Sequence, residues 1–277
     1  MVRSLWTAAT GMNAQQTNVD TISNNLANVN TAGYKAQGAQ FKSLLYQTLQ
    51  TVTTTANGDP RPTTSQVGLG VRTASINSYF SQGSLLANDS TTAFAISGKG
   101  FFAYQDADGN PLYTRNGDFT WALGNDDGTE LVLTTTDGNI VLDENGEEIR
   151  IDGGLIANKL TVGGDGTIYY PDDDGVPQSL DITIGLWQFN NPGGLERVGS
   201  TAFRVTAASG DALAERGDDA NEDLTVSEIV QGYLEGSNVN VATEMVNLIV
   251  AQRAYEMNST AITTTDSMMQ TANSLKR

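Results

Sequence analysis

Hydrophobic positions along the chain fall into two kinds of pattern. From Asn240 to Leu275, Val241, Leu248, Tyr255, Ile262 and Met269 recur every seven residues, with no Gly or Pro in the stretch. That period predicts a long helix with one narrow apolar seam. The alternate row opens on Met245 but continues through Gln252, Ser259, Asp266 and Asn273, so it is mostly polar. Asn240 offers a side-chain cap, and Glu244 suits the first turn. Residues 2–29 repeat the design: Leu5, Met12, Val19 and Leu26 are seven apart, and Ala8, Ile22 and Val29 fill the second row with Gln15 as the exception. Gly11 costs this helix about 1 kcal/mol relative to Ala. Asn24, Asn25, Asn28, Asn30 and Gly33 predict its end, because Asn and Gly accept a left-handed backbone. A helix of this length spans about 40 Å. Its seam needs an equally long neighbour, so the two helices are expected to pair and to be completed by further copies.

Between them the period changes to two. Phe101–Tyr104, Leu131–Leu133, Asn139–Leu142, Glu148–Ile151, Lys159–Val162, Thr167–Tyr170 and Leu180–Ile184 read as strands. They alternate with Asp108-Gly109, Asn116-Gly117, Asp127-Gly128, Asp137-Gly138, Asn145-Gly146, Asp165-Gly166 and Asp174-Gly175. Such pairs accept the two positive φ angles of a type I′ turn, so they predict antiparallel hairpins. The fold class expected is α+β: a discontinuous coiled-coil domain of N- and C-terminal helices, and a central all-β antiparallel domain. The expected division is 1–75 for the first helix with an extended arm or linker, 76–225 for the β domain, and 226–277 for the last helix. Residues 41–50 suit a short helix or an extended arm. The stretch from Thr51 through Asn57 and Pro60 to Gln66 is polar and suits a surface loop. Residues 208–237 suit irregular structure.

Charge sharpens this three-part layout. The chain of 277 residues has a net charge of −17. Residues 1–50 carry Arg3, Lys35 and Lys42 against Asp20, net +2; residues 231–277 carry three cations against four acids, net −1; the middle therefore carries −18. An acidic middle is repelled by nucleic acid and anionic lipid. The absence of His removes the usual general base and the commonest metal ligand, and the absence of Cys removes disulfides and thiolate sites. No apolar run approaches the roughly 20 residues of a membrane span. The first residues lack the apolar core and cleavage site of a secretory signal. Asp106-Ala107-Asp108-Gly109-Asn110 opens like a calcium loop, yet its twelfth position is Gly117 where a bidentate Glu belongs. Gly68-Leu69-Gly70 and Gly98-Lys99-Gly100 precede no helical pattern, so close backbone packing suits them better than phosphate binding. No catalytic residue, metal ligand, cofactor or small-molecule substrate is expected.

Three blocks carry a resemblance. Ser23-Asn24-Asn25-Leu26-Ala27-Asn28-Val29-Asn30-Thr31-Ala32-Gly33-Tyr34-Lys35 resembles the N-terminal signature of the bacterial flagellar rod and hook proteins. Gly98–Phe102 followed by Tyr113–Phe119 is similar to the opening of their β domain. Ser237–Val241, Met245-Val246 and Gln252–Glu256 resemble their last helix. The fit is best with members that build the distal rod, through Gln15–Asn18, Phe41–Thr48 and Ser259–Met269. The insert marked by Thr51, Asn57, Pro60 and Gln66 lies where the straight rod differs from the bendable hook. The resemblance implies a structural subunit, exported unfolded through the flagellar type III apparatus without a cleaved signal, and resident in the basal body across the periplasm. It implies stacking into a hollow helical tube with the terminal helices as inner wall. The implied partners are further copies of the chain, proximal rod and hook or hook-junction proteins, and the surrounding ring proteins, with no nucleic acid. Phe41 and Leu45 resemble the element proposed to engage the export gate. Alternatives are a proximal rod or hook subunit, and a secreted calcium-stabilised β domain with helical tails. On the rod reading, protease acting on dilute protein is expected to trim residues 1 to about 40 and from about 235 onward.

Overall fold

The computed structural model describes residues 2–50, 65–124, 130–172, 175–199, 201–217 and 224–275. The chain divides into two compact units. One comprises Met1–Ala27, Gln37–Ser78 and Asn240–Arg277, the other Asn28–Ala36 and Tyr79–Val239. The α+β class is as expected, with a helix near each end of the chain and antiparallel sheet between.

In the first unit, α1 (Val2–Ala27) and α2 (Val241–Ser274) pack against each other. Asn25 Nδ2 donates to Glu244 Oε2 at 3.4 Å, and Gly11 lies against Asn258, so the helices run antiparallel. A Cβ on Gly11 would sit 2.9 Å from Asn258 Nδ2. The glycine that weakens α1 as an isolated helix thus makes room for a side chain of α2. Asn240 caps α2 by accepting from Thr243 N at 3.1 Å. The first helix stops at Ala27, short of Val29, where Asn28 turns the chain by accepting from Thr31 N at 3.2 Å.

Residues 41–50 take the extended form of the two that the sequence allowed. Four strands, β1 (Gln37–Ser43), β2 (Tyr46–Gln50), β3 (Ser65–Gly68) and β4 (Val71–Ser78), form a ribbon in which Gln37 pairs Ser78 and Tyr46 pairs Gly68. Gln66 lies in β3, whereas Thr51, Asn57 and Pro60 lie outside the described residues. The ribbon is tied to α1 where Val71 N donates to Thr10 Oγ1 at 3.3 Å.

The second unit is built around a ten-stranded antiparallel sheet, whose main path runs from Arg150–Asp152 through Glu130–Thr135, Ile140–Val141, Phe101–Gln105 and Pro111–Thr114 to Ala202–Arg204 and Glu196–Arg197. A three-stranded sheet uses Thr161–Val162, Thr167–Pro171 and Pro177–Thr183; Phe94–Ser97 pairs Glu228–Gln231, and Leu85–Ala87 pairs Tyr233–Glu235. Residues 208–237 are therefore not irregular throughout: Leu213–Ala214, Glu228–Gln231 and Tyr233–Glu235 are strands too short for a clear period. The turns also differ from expectation. Gly109, Gly138, Gly146, Gly166 and Gly175 have positive φ, but Asp108, Asp137, Asn145 and Asp165 before the first four do not; among the described residues only Asp181 does so without being glycine. Each turn repeats one bonding pattern, as where Gly138 N donates to Thr135 O and Thr135 N to Asn139 O. That is a type I turn closed by a left-handed glycine, which matches strand twist through a bulge instead of through two positive φ angles. Asp127 and Gly128 lie outside the described residues, as does Asp174.

Phe101–Gln105 is buried on both faces, which is why it reads as an unbroken apolar run. Phe102 joins a cluster with Phe94, Phe119, Leu133 and Ile168, while Phe101 and Ala103 join another with Tyr113, Trp187 and Phe203. The Phe102 ring is fully buried and meets Phe119 edge-on at 5.2 Å. Phe102→Ala is expected to destabilise this unit by about 3–5 kcal/mol. Thermal melting followed by near-ultraviolet circular dichroism checks this, and an unchanged midpoint contradicts the packing described.

Candidate functional site

Two places combine unusual burial or exposure with named residues: the helix pair of the first unit, and a charged centre in the second. On α2 the positions turned inward are Glu244, Leu248, Ala251, Asn258, Ile262, Thr265 and Met269. Ala254 and Ser259 are partly covered as well, so the inward positions step by three and four without strict alternation. The partner row is thus Ala251, Asn258 and Thr265, small or polar residues one register away from the row that begins at Met245. Thr265 is buried at no polar cost because Oγ1 donates to Ala261 O at 2.7 Å. Val241, Met245 and Tyr255 are exposed in the chain alone, and Val29 lies past the end of α1. Leu5, Met12, Val19 and Leu26 are half-buried, while Ile22 is buried with Ala8, Ala14 and Thr21.

Burial also picks out a second apolar strip on α2. Val246, Ile249, Val250, Met257 and Met268 lie on another face and are 54–67% exposed. Period-seven counting passed over them because their spacing follows 3.6 residues with Arg253 and Thr264 interposed. Phe41 stands at a bulge in β1, and Leu45 between β1 and β2 is 84% exposed.

The signature segment divides between the units. Asn24 is exposed; Asn25 and Leu26 belong to α1; Asn28, Thr31, Gly33, Tyr34 and Lys35 belong to the second unit. Gly33 has φ +70°, and a Cβ there would lie 2.4 Å from Asn116 N. Its own N–H donates to Glu235 O at 2.7 Å. Tyr34 is buried beneath the Arg197 guanidinium, 4.7 Å from its ring centroid. Lys35 has no exposed side-chain surface, and Nζ donates to Glu235 Oε1 at 2.6 Å and to Ser81 O at 2.8 Å. Glu235, equally buried, also accepts from Arg115 Nη1 at 3.2 Å and from Gly83 N at 2.8 Å. Arg115 Nη2 donates to Gly98 O at 2.9 Å, and its plane lies 5.0 Å from the Phe101 centroid. Burial lowers the pKa of Lys35 and of Arg115; Glu235 pulls both back up without cancelling the effect. Nearby, the buried Glu215 accepts from Gln188 Nε2 at 2.8 Å and from Ser227 Oγ at 2.9 Å. Gly98 and Gly100 have no side chain because Ser227 and Glu215 fill that space.

Sequence reasoning named Lys35 but missed its partners. Arg115 stands in the quoted Tyr113–Phe119 block, and Glu235 is the lone acid between 224 and 243 apart from Glu228. No spacing rule joins charges 80 to 200 residues apart.

A chain with paired terminal helices and an antiparallel β body, whose helices carry uncovered apolar strips, is an assembly subunit by architecture. The family models agree. Residues 5–35 match the flagella basal body rod protein model, residues 95–170 the flagellar hook protein FlgE/F/G D1 domain, and residues 230–275 the flagellar basal body rod FlgEFG protein C-terminal model. Among curated proteins, the chain is 43% identical to the flagellar basal-body rod protein FlgG of Borreliella burgdorferi over the whole of both. It is 40% identical to FlgG of Caulobacter vibrioides over 99% of this chain and 100% of that one. It is 33% identical to the flagellar hook-basal body complex protein FlhP of Bacillus subtilis, again over the whole of both. The chain belongs to the flagellar rod and hook family.

The charged centre generates a test. Glu235→Gln leaves Lys35 and Arg115 buried without a carboxylate and is expected to cost about 3–5 kcal/mol. Lys35→Met keeps one cation on Glu235 and costs less. Because the folded pKa of Lys35 lies below its ordinary 10.5, the folded state releases this proton first. That contribution to stability increases as pH climbs from the folded pKa toward 10.5. Melting of both proteins across that window should therefore show wild type gaining on Lys35→Met with rising pH, and a shrinking gap contradicts the sign.

Proposed function

We propose that the chain is a structural subunit of the distal part of the flagellar basal-body rod, polymerising through its terminal helices into a hollow shaft that carries torque toward the hook. The observation that carries this reading is the exposed strip Val246, Ile249, Val250, Met257 and Met268, which lies on the face away from an inward row too narrow and too polar to be the helix's whole interface. Apolar faces of this kind mark interaction surfaces. The inward steps of four and three support an antiparallel coiled coil between α1 and α2. The outer strip and the exposed Val241, Met245 and Tyr255 then meet neighbouring copies. Head-to-tail addition that does not close yields a helical filament.

Full-length likeness to curated rod proteins favours the rod over its siblings, and the insert from Thr51 to Gln66 is the rod-type element on this reading. The subunit performs no catalysis. Its partners are its own copies, proximal rod and hook or hook-junction proteins, the surrounding ring proteins, and the type III export apparatus, which Phe41 and Leu45 engage during delivery. It resides in the basal body across the periplasm and is delivered without a cleaved signal.

The test uses cells lacking the gene and complemented with variants. Val250→Asp combined with Met257→Asp is expected to abolish swimming and filament formation by purified protein while unit 2 melts within about 1 °C of wild type, since exposed substitutions change monomer stability little. Swimming at wild-type speed overturns the reading. Limited proteolysis of dilute protein supplies a second check, and burial of Tyr34, Lys35 and Glu235 moves the expected boundaries. A core retaining 28–36 and 79–239 is expected, with loss of α1 and α2; two protected helices in a monodisperse monomer contradict it.

A further inference from the structure

Two turns of the second unit, Asp106–Asn110 and Asp143–Glu147, border one cavity of about 230 Å³ through Gly109 and Gly146. Its walls include Ala103, Pro111 and Leu142, and two aromatic side chains, Tyr113 and Trp187. Those rings meet edge-on with centroids 6.1 Å apart. Tyr113 is 5% exposed and Trp187 8%, yet neither Tyr113 Oη nor Trp187 Nε1 has a hydrogen-bond partner among the described residues. Buried phenols and indoles ordinarily find one. Nor are these two atoms sealed away: among the described residues, the sealed side-chain atoms without a partner are Arg115 Nε and Arg197 Nε. Trp187 also lines a second hollow of about 370 Å³, with Glu144, Asn145 and Leu213. The two hollows share Gly146 and Trp187, so together they make one groove with the indole at its middle.

We propose that this groove binds an extended, proline-bearing segment of a partner protein, flanked by Lys or Arg, whose main-chain carbonyls accept from Tyr113 and Trp187. The chemistry of the unspent groups selects that occupant. An indole only donates, and a phenol donates as readily as it accepts. A ligand that supplies acceptors without an N–H of its own satisfies both, and proline removes the backbone donor while keeping the carbonyl. Its ring is also apolar and suits Leu142, Pro111 and Ala103. Proline holds the neighbouring chain extended before binding, so little entropy is lost on docking in an aromatic-lined groove. Burial holds the Tyr113 phenol above its ordinary pKa, so it stays protonated and able to donate. Charge completes the choice. The bordering turns carry Asp106, Asp108, Asp143, Glu144 and Glu147, whereas among the described residues no Lys or Arg lines either hollow. An acidic segment is repelled there, and a basic one is attracted.

Full-length protein labelled with nitrogen-15 tests the groove, because the Trp187 indole N–H reports its own hydrogen bond. Trp6→Phe and Trp121→Phe assign the three indole resonances. Acetyl-Lys-Pro-Pro-Lys-amide is the probe, with acetyl-Lys-Ala-Ala-Lys-amide and acetyl-Glu-Pro-Pro-Glu-amide as controls. The probe is expected to move the Trp187 resonance downfield and saturably, with Kd on the order of 1 mM, while Trp6 stays in place. Both controls are expected to bind several-fold more weakly. Tyr113→Phe keeps the ring and removes the donor. It is expected to weaken the probe about fivefold, the loss of one hydrogen bond, without lowering the melting midpoint, since the hydroxyl has no partner in the free chain. No saturable shift at ten times the expected Kd, an equal shift from the alanine peptide, or full affinity in Tyr113→Phe overturns the proposal. So does a Trp187 resonance that moves when the protein is concentrated without peptide, which makes the occupant a second copy of the chain.

Discussion

Glu235 is a carboxylate without water. It has no exposed side-chain surface, and the cations that neutralise it come from 200 and 120 residues earlier in the chain. Leaving such a group unpaired costs several kcal/mol, so the folded second unit depends on Lys35 and Arg115 being in place. Buried ion pairs add little net stability over apolar packing, but they reject near misses. That constraint explains why residues 28–36, separated from the rest of their unit by the whole of 37–78, still belong to it. It also explains the local glycines: Gly33 brings its N–H to the Glu235 carbonyl, and Gly83 brings another to the carboxylate.

Much of the architecture could be read from pattern because it is local. The helices showed in their seven-residue rows, and the β body in alternating strands separated by Asp-Gly and Asn-Gly. Type I turns with a left-handed glycine and type I′ turns share that signal, so most of the dipeptides placed hairpins without specifying their geometry; Asn116-Gly117 is the exception, because Pro111–Thr114 and Phe119–Leu123 on either side of it pair with other strands. The helix register was half legible. Leu248, Ile262 and Met269 are partly covered in the chain alone, but their companions Ala251, Asn258 and Thr265 are small or polar and carry no hydropathic mark. Gly11 looked like a defect, since its purpose lies in Asn258 of the other helix.

The charged centre was legible only in pieces. Lys35 stood out inside a signature segment, and Arg115 and Asn238 stood inside blocks quoted for resemblance, yet nothing in one dimension says that the three segments converge. Asn25 makes the same point. In a helix it reads as a poor former near a terminus, whereas in the structure its amide substitutes for a strand neighbour to Gln37. Side-chain amides that replace backbone partners are invisible to periodicity, because what selects them is a distant peptide group.

The division of labour between charge and apolar surface follows from these placements. Lys35 and Arg115 are buried with Glu235 and Glu215, so the four charges cancel and the formal charge of −17 lies on the rest of the chain, mainly within residues 51–230. The helical segments are nearly neutral and carry the uncovered strip. On the assembly proposed above, copies repel through one unit and attract through the other. Repulsion reaches about 8–10 Å at physiological salt, whereas apolar attraction needs surfaces in contact. Random collisions between β units are thus discouraged before any contact forms, while helices aligned with a neighbour's strip gain from every residue they bury. Addition at a filament end is favoured over amorphous association, and the bias weakens as salt shortens the range of repulsion.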